Sequence, residues 1–360
     1  MALLLPVATE LPNPSPVIFG SRRLWATAVF DAYWNFAVER QRVFFRRLLG
    51  DTPPWTDDSV LRVHRFTNAY RASDRVSQFL ITRVIPKSYS TPRDAFFRVL
   101  LFKIFNRIDT WRRLESALGE LHVASFEVDR YNGVLDQSIR RGDRVYSAAY
   151  IMPVPKFGAS RKHTNHLLLL KLMLEQELPE RITAASTMEA AYELLLGYPS
   201  IGPFLAYQFI IDLNYSGITS FEEMEFVVPG PGAVDGIRKC FSDTGGLSDA
   251  DVIRAMADIA GTQFQERGLT FPDLWGRPMQ LIDFQNLFCE IDKYARVTQP
   301  MIAGRSGRQR IKRKYRQPNP EPLVPGYPSK WKLPRAGVAL DGRNVPYPAA
   351  NSGATEKYGP

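Results

Sequence analysis

The sequence predicts an all-α protein: a helical bundle with a helix-hairpin-helix element, followed by a disordered basic C-terminal tail. Three observations carry this. Apolar residues recur at helical spacing over most of the stretch from residue 22 to residue 297. The string Leu196-Gly197-Tyr198-Pro199-Ser200-Ile201-Gly202-Pro203-Phe204-Leu205-Ala206 reads as a helix, a tight Gly-Pro turn and a second helix. The net charge of +9 is confined to residues 305–360, with 12 Lys/Arg against 3 Asp/Glu, while residues 1–304 hold 34 of each sign.

The elements follow in order. Residues 1–57 form an N-terminal extension whose 22–49 segment predicts one amphipathic helix, with Trp25, Val29, Tyr33, Phe36, Val43, Phe44 and Leu48 near one face. Asp51-Thr52-Pro53-Pro54 ends it. Residues 58–300 form the helical body. A second long helix is expected over 58–85, with Phe66, Tyr70, Val76, Phe79, Leu80 and Val84 as its apolar stripe. Thr91-Pro92-Arg93-Asp94 starts a nearly all-apolar helix through Phe105. Residues 119–165 are the least regular stretch, punctuated by Gly133, Gly142, Pro153, Pro155 and Gly158. Helices resume at 165–178, 187–196, 203–213, about 249–267 and about 278–297. From residue 301 to 360 the chain is Pro-rich, with seven Lys/Arg among Arg305–Arg316, and predicts a disordered cationic arm.

The hairpin at 187–213 has a physical reading. Ser186-Thr187-Met188-Glu189 has capping-box spacing, and Gly197 suits a left-handed helix end. Ile201 plugs the turn into the core, Gly202 allows close backbone approach, and Pro203 suits a first helical position. N–H groups around Ser200 to Gly202, at a helix N-terminus, favour a phosphate oxygen. Such contacts hold DNA without reading its sequence. The plain alternative is an ordinary Gly-Pro helix break.

Composition narrows the classes. Two cysteines, Cys240 and Cys289, exclude a disulfide scaffold and a four-cysteine iron–sulfur cluster. No apolar run reaches 18 residues, and Met1-Ala2-Leu3-Leu4-Leu5-Pro6 lacks a basic signal-peptide start. A reducing, intracellular compartment is expected, and a basic Pro-rich tail of this type predicts a nuclear protein. His163 and His166 lack a third ligand for a metal, and no cofactor signature occurs.

Several longer strings combine: Phe66-Thr67-Asn68-Ala69-Tyr70-Arg71-Ala72-Ser73-Asp74-Arg75, Phe102-Lys103-Ile104-Phe105-Asn106-Arg107, the hairpin itself, Val228-Pro229-Gly230-Pro231-Gly232-Ala233-Val234-Asp235-Gly236 with Ile237-Arg238-Lys239-Cys240-Phe241, and Phe288-Cys289-Glu290-Ile291-Asp292-Lys293-Tyr294. Over roughly residues 60–297 they resemble the thymine-hypermodification family, which joins the helical domain of 5-hydroxymethyl-deoxyuridine DNA kinases to the alpha-glutamyl/putrescinyl thymine pyrophosphorylases. The resemblance implies a fold related to helix-hairpin-helix DNA glycosylases. It also implies base modification in DNA, in which a phosphorylated 5-hydroxymethyl-uracil exchanges its (pyro)phosphate for an amino acid or polyamine. The chain has no Gly-x-x-x-x-Gly-Lys-Ser/Thr loop, so it is expected to be the free-standing helical enzyme and not a kinase fusion.

Candidate site residues follow. Hairpin glycosylases place a carboxylate beyond the second hairpin helix. Asp235, 33 residues after Gly202, is the best match, and Glu225, 23 residues after it, is the rival. Either serves general base or electrostatic catalysis. Gly230 and Gly232, with Arg238 and Lys239, form a candidate phosphate cradle; the alternative is a tight loop in which Asp235 caps a helix. Asn68, Arg71, Asp74 and Arg75 form a candidate substrate wall or, equally, an internal ion-pair cluster. DNA contacts are expected at Gly197, Ser200, Ile201 and Gly202 and at Arg310, Lys312, Arg313 and Lys314 of the tail. Base hypermodification in DNA is the leading reading. A true glycosylase and a non-catalytic DNA-binding module are the alternatives. Expected partners are DNA and an amine co-substrate, with no membrane.

Overall fold

Helix spacing in the sequence becomes thirteen α-helices in a computed structural model that describes residues 15–85, 91–316, 323–334 and 336–348. In chain order come β1 (Ser15–Phe19), β2 (Arg22–Ala26), α1 (Ala28–Leu48), α2 (Ser59–Val63), α3 (Arg75–Phe79), α4 (Pro92–Phe105), α5 (Ile108–Leu118) and α6 (Val128–Arg140). Then follow α7 (Lys162–Glu175), α8 (Leu178–Thr183), α9 (Met188–Leu196), α10 (Pro203–Tyr215), α11 (Pro231–Cys240), β3 (Phe241–Asp243), α12 (Asp249–Glu266), α13 (Leu281–Thr298), β4 (Val338–Leu340) and β5 (Arg343–Val345). No described helix is long and apolar enough to cross a membrane.

The chain divides into two compact units. The first comprises residues 1–71, 227–273 and 278–322. Its centre is α13, flanked by α1, α11 and α12. Aromatic edges fill it: Tyr33 meets Phe288 at 4.9 Å, Trp34 meets Phe264 at 5.1 Å, and Phe36 meets Tyr294 at 5.2 Å. The tightest approach is between α11 and α13, because Gly232 and Gly236 lie one turn apart on α11 against Cys289 and Phe288. A Cβ on Gly236 would fall 2.0 Å from the Phe288 carbonyl oxygen.

The second unit comprises residues 72–226, 274–277 and 323–360. Here the largely buried α4 is surrounded by α7, α8 and α10, while α5 packs on α6 and α6 on α7. Arg98 is buried within it, donating to the carbonyls of Val84 and Leu121 at 2.7 and 2.8 Å. Buried cations of this kind persist only when their donors are satisfied.

Four expectations need correction. The 22–49 helix begins only at Ala28: Arg22–Ala26 is instead the middle strand of the sheet β1-β2-β3, and Thr27 caps α1 by accepting from Val29 N–H at 3.1 Å. The 58–85 helix does not form as one element. Side chains from α1 and α13 take its backbone groups: Glu290 accepts Thr67 N–H, Arg40 donates to Thr67 O, Asn286 donates to Asn68 O, and Asp283 accepts Arg71 N–H at 2.7 Å. What survives is α2, a 3-10 turn at Arg71–Ser73, α3 and a π-helical turn at Leu80–Val84. The irregular 119–165 stretch contains α6, with Gly133 inside it.

The fourth correction concerns the tail. Its described residues are not a free arm. In the second unit, residues 323–348 supply the hairpin β4-β5 and an aromatic plug. Tyr327 stacks on Trp331 at 5.8 Å, Tyr347 meets buried Trp275 edge-on at 5.0 Å, and Trp275 donates to Val345 O at 2.9 Å. Lys330 donates to Asn214 Oδ1 at 2.6 Å, and burial lowers its pKa to about 8. Tyr327, Trp331 and Tyr347 were the sequence signal for this order, since a disordered arm has no use for aromatic residues.

Candidate functional site

In the second unit a helix, a turn and a second helix form over the expected stretch. Helix α9 ends at Leu196, α10 starts at Pro203, and Ile201 is buried between them. The details differ. Thr187, not Ser186, caps α9, accepting from Ala190 N–H at 3.1 Å. Gly197 is right-handed, and Ser200 takes the left-handed conformation at φ 66°. The Ile201 N–H is committed to the Tyr198 carbonyl at 3.3 Å. Gly202 is the exposed N-cap of α10, with open space where a Cβ would be.

Beside this turn lies a cluster that sequence reading missed. Lys103 on α4 and Asp212 on α10 are fully buried and paired, Nζ to Oδ2, at 3.1 Å. Lys103 also donates to Asn106 Oδ1 at 3.1 Å, and Asn106 ends α4 in the left-handed region at φ 48°. The Tyr150 ring covers the ammonium, its centroid 4.5 Å from Nζ. Tyr150 lies parallel to Phe204, two residues beyond Gly202, at 5.6 Å. Tyr150 carries a φ of 56°, a backbone strain that a bulky residue rarely bears. The signal was present in the sequence as Lys103 between Phe102 and Ile104 and Asp212 between Ile211 and Leu213: two opposite charges, each flanked by apolar residues.

The segment carrying Tyr150 is held at both ends by one side chain. His166 on α7 accepts from the Tyr146 hydroxyl at Nδ1 and donates from Nε2 to Pro153 O, both at 2.8 Å. Burial lowers its pKa to about 4 and lowers that of His163, which faces Asp136 at 3.0 Å. The unfolded chain takes these protons near pH 6.5, whereas folded His166 resists until about pH 4. Stability is therefore full above pH 6.5 and is lost as pH falls toward 4, by at most about 1.4 kcal/mol per unit for His166. Thermal unfolding from pH 7 to 4.5 should show this fall, and His166→Gln should flatten it.

In the first unit the expected carboxylate has other work. Asp235 sits inside α11, buried, and both oxygens accept from Ser306: Oδ1 from its N–H at 2.8 Å and Oδ2 from its hydroxyl. It anchors the chain at Gly304–Ser306. Gly230 is the N-cap of α11, while Gly232 and Gly236 serve the approach to α13. The expected phosphate cradle is not assembled either. Lys239 is buried against Asp292 at 3.0 Å, and Arg238 pairs with Asp249 at 2.9 Å. Nor is the 66–75 quartet one helix face. Asn68 Oδ1 accepts from Arg40 at 2.7 Å, Arg71 is buried, and Asp74 stands at the N-cap position of α3 without a side-chain capping bond, with exposed Arg75 beginning the helix. The unit boundary falls between Arg71 and Ala72. Glu225 is exposed in a turn of the second unit.

Comparison with known proteins adds the family. The model of the family described as 5-hmdU DNA kinase, helical domain, matches residues 27–304. A 5-hmdU DNA kinase of Bacillus phage SP10 is 27% identical over 288 residues, which is 74% of this chain and 45% of that protein. The chain thus spans less than half the length of that relative. No solved structure matches. With most of its helical body inside the matched region, the chain belongs to the family of the 5-hmdU DNA kinase helical domain.

Proposed function

We propose that this protein modifies 5-hydroxymethyl-uracil-derived thymine in DNA, exchanging a (pyro)phosphate on the base's methylene for an amino acid or polyamine. The observation that carries the reading is the buried Lys103–Asp212 pair beside the α9–α10 turn, in a chain of a family named for 5-hmdU in DNA. In this reading α9 and α10 act as the helix-hairpin-helix that holds the phosphate backbone. Gly202 supports that role, because nothing crowds the start of α10.

The chemistry needs few parts. The amine nitrogen forms a bond to the methylene carbon. The carbon–oxygen bond breaks, and its electron pair leaves with the (pyro)phosphate. The amine's proton passes to the Asp212 carboxylate, and the Lys103 ammonium balances the departing charge. The Tyr150 ring must move off Lys103 to admit a substrate. Its strained backbone and the exposed Ile151 beside it suit a segment that opens.

Nucleoside mass spectrometry tests the reading. Duplex DNA carrying thymine, 5-hydroxymethyl-uracil, or its phosphorylated and pyrophosphorylated forms is incubated with protein and a pool of amino acids and polyamines. An amine-adducted thymidine is expected from a phosphorylated substrate. Free base with abasic DNA would make the protein a glycosylase instead. Unchanged DNA in every tube would leave a binding module.

A further inference from the structure

We propose that residues 305–316 form a fixed cationic ribbon on the first unit that grips duplex DNA by its phosphates. The proposal rests on DNA being the substrate, and it adds a surface that the chemistry does not require.

The ribbon is tied down at three places. Ser306 is held by the buried Asp235. Arg296 of α13 donates to the Arg310 carbonyl at 3.0 Å. Residues 313–315 then run antiparallel to 63–65: Arg65 N–H donates to Arg313 O at 3.1 Å, and Tyr315 N–H donates to Val63 O at 2.9 Å. The ribbon gives only its backbone and the Ser306 side chain to these ties, so its cations are left outward.

Nine cations line this ribbon and the strand beside it: Arg62 and Arg65, and the seven of the ribbon itself, among them Arg310, Lys312, Arg313 and Lys314. All are exposed, and among the described residues none of their side chains has a hydrogen-bond or ion-pair partner. Several cations elsewhere are neutralised by carboxylates, as Arg93 is by Glu180, Arg113 by Asp143, Arg161 by Asp136 and Arg238 by Asp249. An unneutralised row on a rigid backbone is what a polyanion requires, and its ordering entropy is already spent before binding.

The aromatic residues choose between nucleic acids. Single strands are held by exposed rings on which bases stack. Here Tyr315 is half-buried and turned edge-on to Trp55 at 6.4 Å, and Trp55 is covered by Arg47 at 5.2 Å. The ribbon offers charge and no stacking platform, which suits a duplex backbone.

The test uses the full chain and a labelled duplex without any modified base, titrated at several salt concentrations. Arg310→Gln, Lys312→Gln, Arg313→Gln and Lys314→Gln together should weaken binding at least tenfold near physiological salt. They should also lower the log–log salt slope by up to about 3.6, at about 0.9 for each phosphate no longer neutralised. Tyr315→Pro keeps every charge but removes the N–H that pins the ribbon, and it should weaken binding several-fold; Tyr315→Phe should not. Unchanged binding in the fourfold variant, or parental binding by a folded Tyr315→Pro, overturns the proposal. So does single-stranded DNA or RNA bound as tightly as duplex. Because the probe carries no reactive base, failure here leaves base modification standing, and failure of the chemistry leaves the ribbon standing.

Discussion

Gly236→Ala should destabilise the first unit by about 3 kcal/mol or more, at the upper end of what overpacking costs. The added methyl would sit 2.0 Å from the Phe288 carbonyl oxygen and 2.7 Å from its carbon. Both are backbone atoms, so no rotamer change relieves the clash; α11 and α13 must separate. For a domain of this size that is a fall in Tm of roughly 6–12 °C. Two other glycines calibrate the result. At Gly232 the added atom meets only Cys289, nearest at its Sγ at 3.0 Å, and a smaller loss of about 1 kcal/mol is expected. At Gly133, inside α6 with open space, alanine should stabilise by about 0.5–1 kcal/mol. Differential scanning calorimetry of the three variants checks the order. Equal effects at all three would mean that α11 and α13 do not pack closely.

Asp212→Asn should abolish turnover on a phosphorylated substrate, by roughly 10²–10⁴-fold for loss of a general base. It also strands Lys103 in the core, which costs about 3–5 kcal/mol when a buried pair is broken. Loss of fold and loss of chemistry are separated by a second variant. Lys103→Met with Asp212→Leu removes both charges and keeps apolar volume, so stability should return to near the parent's value. Activity should stay absent. A double variant that recovers turnover along with its Tm would show that the pair serves packing alone. Denaturant unfolding and single-turnover kinetics on the same preparations give both readouts.

Local signals wrote much of the fold in plain view. Helices α1, α4, α9, α10 and α13 were legible because each combines an apolar stripe or an apolar run with an end signal, such as Thr91-Pro92 or Gly202-Pro203. The 58–85 stretch misled because its residues have helical spacing, while Glu290, Asn286 and Asp283, more than 200 residues away, take its backbone groups. Nothing local announces such a competitor. The candidate site was illegible for a related reason. Lys103 and Asp212 are 109 residues apart and meaningless singly; only the meeting of α4 and α10 makes them a pair. Asp235 drew notice through its Gly-rich neighbourhood, and those glycines answer to α13.

The interleaving of the two units has a consequence for synthesis. The first unit needs residues 278–322, and the second needs the aromatic plug of 323–348. Neither can finish its core while the ribosome is still adding the stretch that closes it. The two cannot fold one after the other as they emerge, which is the usual course for domains strung in sequence. Partly made chains expose α13's partners and the bed of Trp275 together. Their protection from aggregation depends on how fast the last segments follow.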